Sequence, residues 1–139
     1  MYTVKVSMHS VKEAKGPWVH NSREVYEFCK DMENLCQETM QVVTLNTRNR
    51  IIDRHLVSMG TVNAAPFHPR DGFRCAIMDN ATSVVFVHNH PSGSLEPSRE
   101  DIETTRSMKE AGEILKIQVC DHIIIAKGGY YSFLDMHMM

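Results

Sequence analysis

No run of this chain approaches the eighteen or more consecutive apolar residues of a membrane span. Its first residues, MYTVKVSMHSVKEAKG, lack the apolar core and cleavage site of a secretory leader. The expectation from both absences is a cytoplasmic protein with no membrane partner. Charge of one sign is also missing: 15 basic residues face 17 acidic ones and the pI is near 6.4, so the whole surface is not built for polyanions. Cysteine is scarce and forms no C-x-x-C pair, so Cys29, Cys36, Cys75 and Cys120 read as small buried hydrophobes rather than ligands or redox groups. Internal repeats, low-complexity segments and interdomain linkers are absent. What remains is an ordinary globular composition, 42% hydrophobic and 23% charged over 139 residues. That length suits a single core and buries roughly two thirds of the unfolded surface.

The patterning alternates between helix and strand periods. Tyr2 to Met8 alternates like a short strand, and Gly16-Pro17 marks a loop. Asn21 or Ser22 can cap a helix running to about Leu35, with Val25, Phe28, Cys29, Met32 and Leu35 on one face. Glu38–Leu45 and Arg50–Met59 read as a hairpin around the turn residues Asn46 to Asn49, with Gly60 ending it. A loop carrying Pro66 and Pro69 precedes a short helix from Asp71 to about Asn80. The run Ser83–Val87 then suits a strand covered on both faces. After the loop containing Pro91, Gly93 and Pro97, a helix starts at the cap Ser98. Two last strands follow, Ile117–Ala126 and Tyr130–Leu134, around Lys127-Gly-Gly129. The expected order is βαββαβαββ. It predicts an α/β fold, a mixed β-sheet flanked by helices, with residues 1–20 as an N-terminal strand and loop and residues 21–139 as one domain.

The chemistry concentrates in VFVHNHPSGSLEPSRED, residues 85–101. Strand residues i and i+2 share a face, so His88 and His90 can aim both imidazoles at one point while Asn89 faces away. The Pro-Gly loop can fold the next helix back so that Asp101, three positions after Ser98, offers a carboxylate to the same point. Two histidines, one carboxylate and a water make the open four-coordinate pattern of catalytic zinc, which lowers the pKa of its water to roughly 7. Such a site also needs a free carboxylate as proton carrier, for which Glu38 and Glu33 are candidates, and a hydroxyl near the attacked carbonyl, for which Ser98 is placed. Each half has an ordinary reading too. H-x-H ends many strands, and S-x-x-D is a good helix cap. Their conjunction, seven residues apart across a Pro-Gly loop, favours a metal.

His88-Asn-His90, seven residues, then Ser98-Arg-Glu-Asp101 resembles the H-x-H, seven-residue, S-x-x-D signature of the JAMM (JAB, MPN) metalloproteases. HNHPSG with PSRED, EAGEILKIQVCDHIII downstream, and TLNTRNRII and GTVNAAPFHPRDGF upstream are similar, more narrowly, to the JAB domain of RadC-like proteins, over about Glu33 to Leu134. The resemblance implies a JAB/MPN-type mixed α/β fold, related in architecture to cytidine deaminases, with zinc held by His88, His90 and Asp101. It implies Glu38 as the general base, because the family's glutamate lies near the start of the strand before the TRNR-type turn; Glu33 is the fallback. Ser98 matches the motif serine that assists the oxyanion. His122 matches a RadC-like position and is either a pocket residue or an ordinary strand histidine. His9, His20, His55, His68 and His137 carry no spacing signal and read as surface or packing residues.

The functional expectation is a zinc-dependent hydrolase cleaving a peptide or isopeptide bond in a peptide or small protein. The alternative is a non-catalytic zinc-containing accessory domain that binds DNA or a DNA-repair or mobile-element protein. Its footprint would be Arg48, Arg50 and Arg54, with Arg70 and Arg74 nearby, although hairpin charges also read as a solvated face and no aromatic residue interleaves with them. RadC-like proteins often carry a helix-hairpin-helix module. Only about twenty residues and one helix precede the similar segment here, which weakens the DNA expectation. Metal-dependent DNA cleavage fits less well, since the site lacks the paired carboxylates of a two-metal nuclease.

Overall fold

The computed structural model describes residues 1–6, 11–60 and 67–139. Its elements are α1 (Ser22–Phe28), a 3₁₀ helix (Lys30–Asn34), β1 (Thr39–Leu45), β2 (Ile51–Met59), α2 (Pro69–Met78), β3 (Ser83–Asn89), α3 (Arg99–Leu115), β4 (Gln118–Ala126) and β5 (Gly129–Ser132). The strands form one sheet in the order β2-β1-β3-β4-β5. Only β3 and β4 run parallel, joined through α3; every other pair is antiparallel, so the sheet is mixed. The fold is α/β with helices against the sheet, consistent with a JAB/MPN domain.

Side-chain alternation sorts the core into two layers. Val43, Val85, Val87, Ile123 and Ile125 point to one face, where Val25, Cys29 and Met32 cover them. Val42, Val84 and Phe86 point to the other, against Phe73 of α2 and Met108 of α3. With a core layer on each side, β3 is buried along its whole length, as the apolar run at 83–87 predicts. Helix α3 presents Asp101, Thr105, Met108 and Gly112 as one buried stripe. At Gly112 a β-carbon would lie 2.5 Å from the Ile117 carbonyl oxygen, so only glycine lets the chain turn back this tightly into β4.

Several boundaries differ from the sequence expectation. The N-terminal strand is absent over the described part of Tyr2 to Met8: residues 2–6 have no regular structure, and Val4 and Val6 are 84% and 87% exposed. Alternation alone supplies no partner strand. Among the described residues, backbone pairing begins later, where Gly16, Pro17 and Val19 exchange hydrogen bonds with Asn49 and Ile51. The helix capped by Asn21, whose side chain accepts from the Glu24 amide, ends at Phe28 rather than Leu35 and continues as 3₁₀. Cys29 and Met32, both fully buried, lie three residues apart, the period of that tighter helix. Pro69 starts α2 at its first position, where the missing N–H costs nothing, so the helix begins two residues before Asp71. The expected loop residue Pro66, and His9, lie outside the described residues.

Cys29 is buried as expected, and burial pushes its thiol pKa up to about 11. Cys36 is exposed, while Cys75 and Cys120 are half-buried, so burial does not describe all four. The arginine cluster is partly consumed inside the fold. Arg54 grips Asp31 through two hydrogen bonds of 2.8 and 2.6 Å, and Arg50 donates to the Gly16 carbonyl while lying 4.2 Å over the Trp18 ring. Among the described residues no helix is long and apolar enough to cross a membrane.

Candidate metal centre

The strand end, the loop and the next helix bring His88, His90 and Asp101 together. Val84, Phe86 and His88 share the α3 face of β3 by strand alternation, and His88 is 2% exposed. The backbone stays in register one residue past the strand, with the His90 amide donating to the Ile125 carbonyl. His-Pro-Ser-Gly then turns, closed by the Gly93 amide on the His90 carbonyl, with Gly93 at φ 88°. The chain returns to Ser98, which caps α3: its Oγ accepts from the Asp101 amide at 3.0 Å, and Asp101 Oδ2 accepts from the Ser98 amide at 2.8 Å. This reciprocal box orients the carboxylate. Cap and candidate ligand are therefore the same side chain.

The distances within the cluster are short. His88 Nε2 lies 2.9 Å from His90 Nε2 and 3.1 Å from Asp101 Oδ1, and His90 Nε2 lies 3.2 Å from Asp101 Oδ2. Glu38 Oε1 stands 3.8 and 3.9 Å from the two Nε2 atoms, on a side chain 52% exposed at the rim. Burial alone would raise the Asp101 pKa, but its contacts with His88 and His90 and the hydrogen bond from the Ser98 amide hold it far below the usual carboxylate range. Hydrogen bonding to Asp101 raises the His90 pKa, against the pull of burial. The donor set fits a divalent cation. His90 Nδ1 lies 2.8 Å from the Ser94 carbonyl, which can only accept, so a neutral His90 points a bare Nε2 lone pair inward. That lone pair faces His88 Nε2 and a carboxylate, and no lysine or arginine meets this group among the described residues.

Two further residues hold the centre. His122 of β4 is 1% exposed; its Nε2 lies 2.7 Å from His88 Nδ1, its Nδ1 2.5 Å from Thr105 Oγ1, and its ring stacks on Phe133. Burial, then the neighbouring His88, keeps its pKa well below the ordinary histidine value. It lies behind the candidate ligands, not among them. Asn89, expected only to face away, does so with effect. Its Oδ1 accepts from the Thr39 amide and hydroxyl at 2.8 Å each, and its Nδ2 donates to the Gln37 carbonyl at 2.8 Å. It thus pins both neighbours of Glu38. The clue lay in its position between two candidate ligands on a strand; the clue to Thr105 was its place one helical turn after Asp101.

Glu33 lies in the 3₁₀ helix and is not among the grouped side chains, whereas Glu38 is. Ser98 is exposed at the helix start, with its Oγ engaged as an acceptor. An open cleft of about 420 Å³ leads to the cluster, with Glu38, Met40 and Ser58 on one wall and Glu103, Thr104 and Ser107 of α3 on the other. His55, which carried no spacing signal, joins a second group. Its Nε2 lies 2.6 Å from Asp79 Oδ2, and Asp53 is on the same face of β2. The overlooked signal was Asp-x-His on a strand.

Comparison with known proteins agrees with this architecture. The family model described as RadC-like JAB domain matches residues 19–138. A UPF0758 protein of Thermotoga maritima is 43% identical over 128 residues, covering 92% of this chain and 58% of that protein. One from Symbiobacterium thermophilum is 43% identical over 120 residues, covering 86% of this chain and 51% of that protein. The chain spans about half the length of the curated relatives it matches.

Proposed function

The chain belongs to the RadC-like JAB domain family, and from that premise we propose that it is a zinc-dependent hydrolase of the JAMM type, cleaving a peptide or isopeptide bond. The observation that carries this reading is the convergence of His88 Nε2, His90 Nε2 and the Asp101 carboxylate within 2.9–3.2 Å, with a second carboxylate, Glu38, just outside that set. His88, His90 and Asp101 would hold the ion. When bound, zinc supplies a Lewis acid that makes water nucleophilic at neutral pH and polarises a carbonyl. Glu38 takes the proton from the attacking water and delivers it to the leaving amine nitrogen, a role suited to an exposed carboxylate at the rim. The Ser98 hydroxyl, whose oxygen accepts from the Asp101 amide, keeps its own hydrogen free to donate to the developing oxyanion. In this reading the peptide would lie in the cleft between β1 and β2 on one side and α3 on the other.

Elemental analysis of protein purified without added metal tests the premise, comparing wild type with His88→Ala and Asp101→Asn. About one zinc per chain, lost in both variants, is the expected result. Amide cleavage by wild type with Glu38→Gln inactive would then establish the hydrolase. A wild type that neither carries nor takes up zinc sinks the proposal. Bound zinc without cleavage of any tested peptide or protein conjugate would leave the accessory-domain reading.

A further inference from the structure

We propose that His122 and Thr105 are positioning residues of the metal centre, linked in an ordered hydrogen-bond circuit that fixes which nitrogen His88 offers. The circuit begins at the Asp101 carbonyl and runs to His88 Nδ1. Thr105 Oγ1 donates its only hydrogen to the Asp101 carbonyl at 2.8 Å. Toward His122 Nδ1, 2.5 Å away, that oxygen can therefore only accept, which places the imidazole hydrogen of His122 on Nδ1. A buried neutral imidazole carries one N–H, so His122 Nε2 is an acceptor, and its partner is His88 Nδ1 at 2.7 Å. His88 is thereby held as the Nδ1–H form. Its Nε2 lone pair is aimed at the centre beside Asp101 Oδ1, 3.1 Å away, where a cation rather than a hydrogen would join the two acceptors.

The arrangement constrains position as well as tautomer. Asp101 and Thr105 sit one turn apart on the buried stripe of α3, and His88 and His122 sit on neighbouring parallel strands. Moving α3 relative to the sheet would therefore break the circuit at one of its links. Phe133 holds the His122 ring at a centroid distance of 4.7 Å and an interplanar angle of 5°. Metal-ligating histidines commonly donate their second N–H to a carboxylate, a backbone carbonyl or a water. His90 follows that habit through the Ser94 carbonyl; His88 uses a neutral imidazole instead, which orients it without adding negative charge.

The test is cobalt(II) titration of metal-stripped protein, with histidine ¹⁵N spectra of the zinc-loaded form, for wild type, His122→Phe, Thr105→Val and Thr105→Ser. His122→Phe keeps a ring against Phe133 but accepts no hydrogen bond, and cobalt affinity is expected to fall ~10–100-fold. Thr105→Val should weaken binding less, and Thr105→Ser should restore it. Wild-type spectra should show His88 protonated on Nδ1, with that proton in fast exchange or lost in His122→Phe. Should His122→Phe fail to fold, the Val and Ser pair at residue 105 carries the test. Cobalt affinity within twofold of wild type in folded His122→Phe or, failing that, in Thr105→Val overturns the proposal, as does His88 protonated on Nε2. This inference rests on the metal reading, and the two failures differ: a wild type that binds no cobalt ends both, whereas equal binding by wild type and variants ends only this one.

Discussion

Two groups of histidine and aspartate lie on the same face of the sheet, one at each end of β1. Met40 of β1 pairs with His88 at one end, and Thr44 pairs with Asp53 at the other. Each group brings its nitrogen and oxygen atoms within 4.8 Å of one another. Proximity does not separate them. At the Asp53, His55 and Asp79 end, the charges are already answered. Asp79, 3% exposed, accepts from the Thr44 hydroxyl at 2.8 Å and contacts His55 at 2.6 Å, and Lys12 pairs with Asp53 while lying 3.6 Å from Asp79. At the His88 end, both Nδ1 atoms are tied to outer partners, and among the described residues the two inward-facing nitrogens meet only each other and the Asp101 and Glu38 carboxylates. One group is a finished charge network, and the other has no lysine or arginine against it among the described residues. Fixed side-chain hydrogens, rather than residue type, make the difference.

The strongest way to break that comparison is to count metal ions. Wild type should hold one per chain after dialysis, with His88→Ala and Asp101→Asn holding none and His55→Ala still holding one; a second ion lost in His55→Ala would erase the distinction. Next in size is the network itself. Asp79→Ala should cost about 2–4 kcal/mol in urea unfolding, because it strands buried partners, while leaving metal content unchanged. A smaller effect is expected at the strap on Glu38. Asn89→Ala removes three hydrogen bonds, should cost roughly 1–3 kcal/mol, and should speed hydrogen exchange at the Thr39 amide with metal content unchanged; an unchanged Thr39 amide would mean that Asn89 does not order the backbone around Glu38.

The smallest effect belongs to a surface pair that serves neither group. Hydrogen bonding from Arg54 lowers the Asp31 pKa. A depressed carboxylate pKa contributes stability above its unfolded value, near 3.9, and loses it as pH falls through the folded value. Asp31→Ala should therefore flatten the decline in Tm between pH 5 and 3. At neutral pH solvent screening keeps its cost below about 1 kcal/mol.

The legible parts of the fold were those with a local cause. The hairpin around Asn46 to Asn49, the buried strand at 83–87 and the helix capped by Ser98 each carry their signal within a few residues. The illegible parts depended on a partner elsewhere in the chain. Tyr2–Val6 alternates as a strand should and pairs with no strand among the described residues, while Gly16–Val19, with no strand pattern, docks on Asn49–Ile51. Pro69 was legible and misread, since proline opens a helix as readily as it occupies a loop.

The centre divides in the same way. Spacing alone put His88 and His90 on one face and Asp101 in the first turn of the following helix, because strand and helix periods are local geometry. Which carboxylate stands opposite, which nitrogen each imidazole turns inward, and which of two His/Asp groups is left without a cation are set by Asn89, His122, Thr105 and Lys12. Those residues are separated in sequence from the atoms they contact by as many as 67 positions, as Lys12 is from Asp79. Strand pairing, the docking of the segment that carries Lys12 and the packing of α3 against the sheet bring them together.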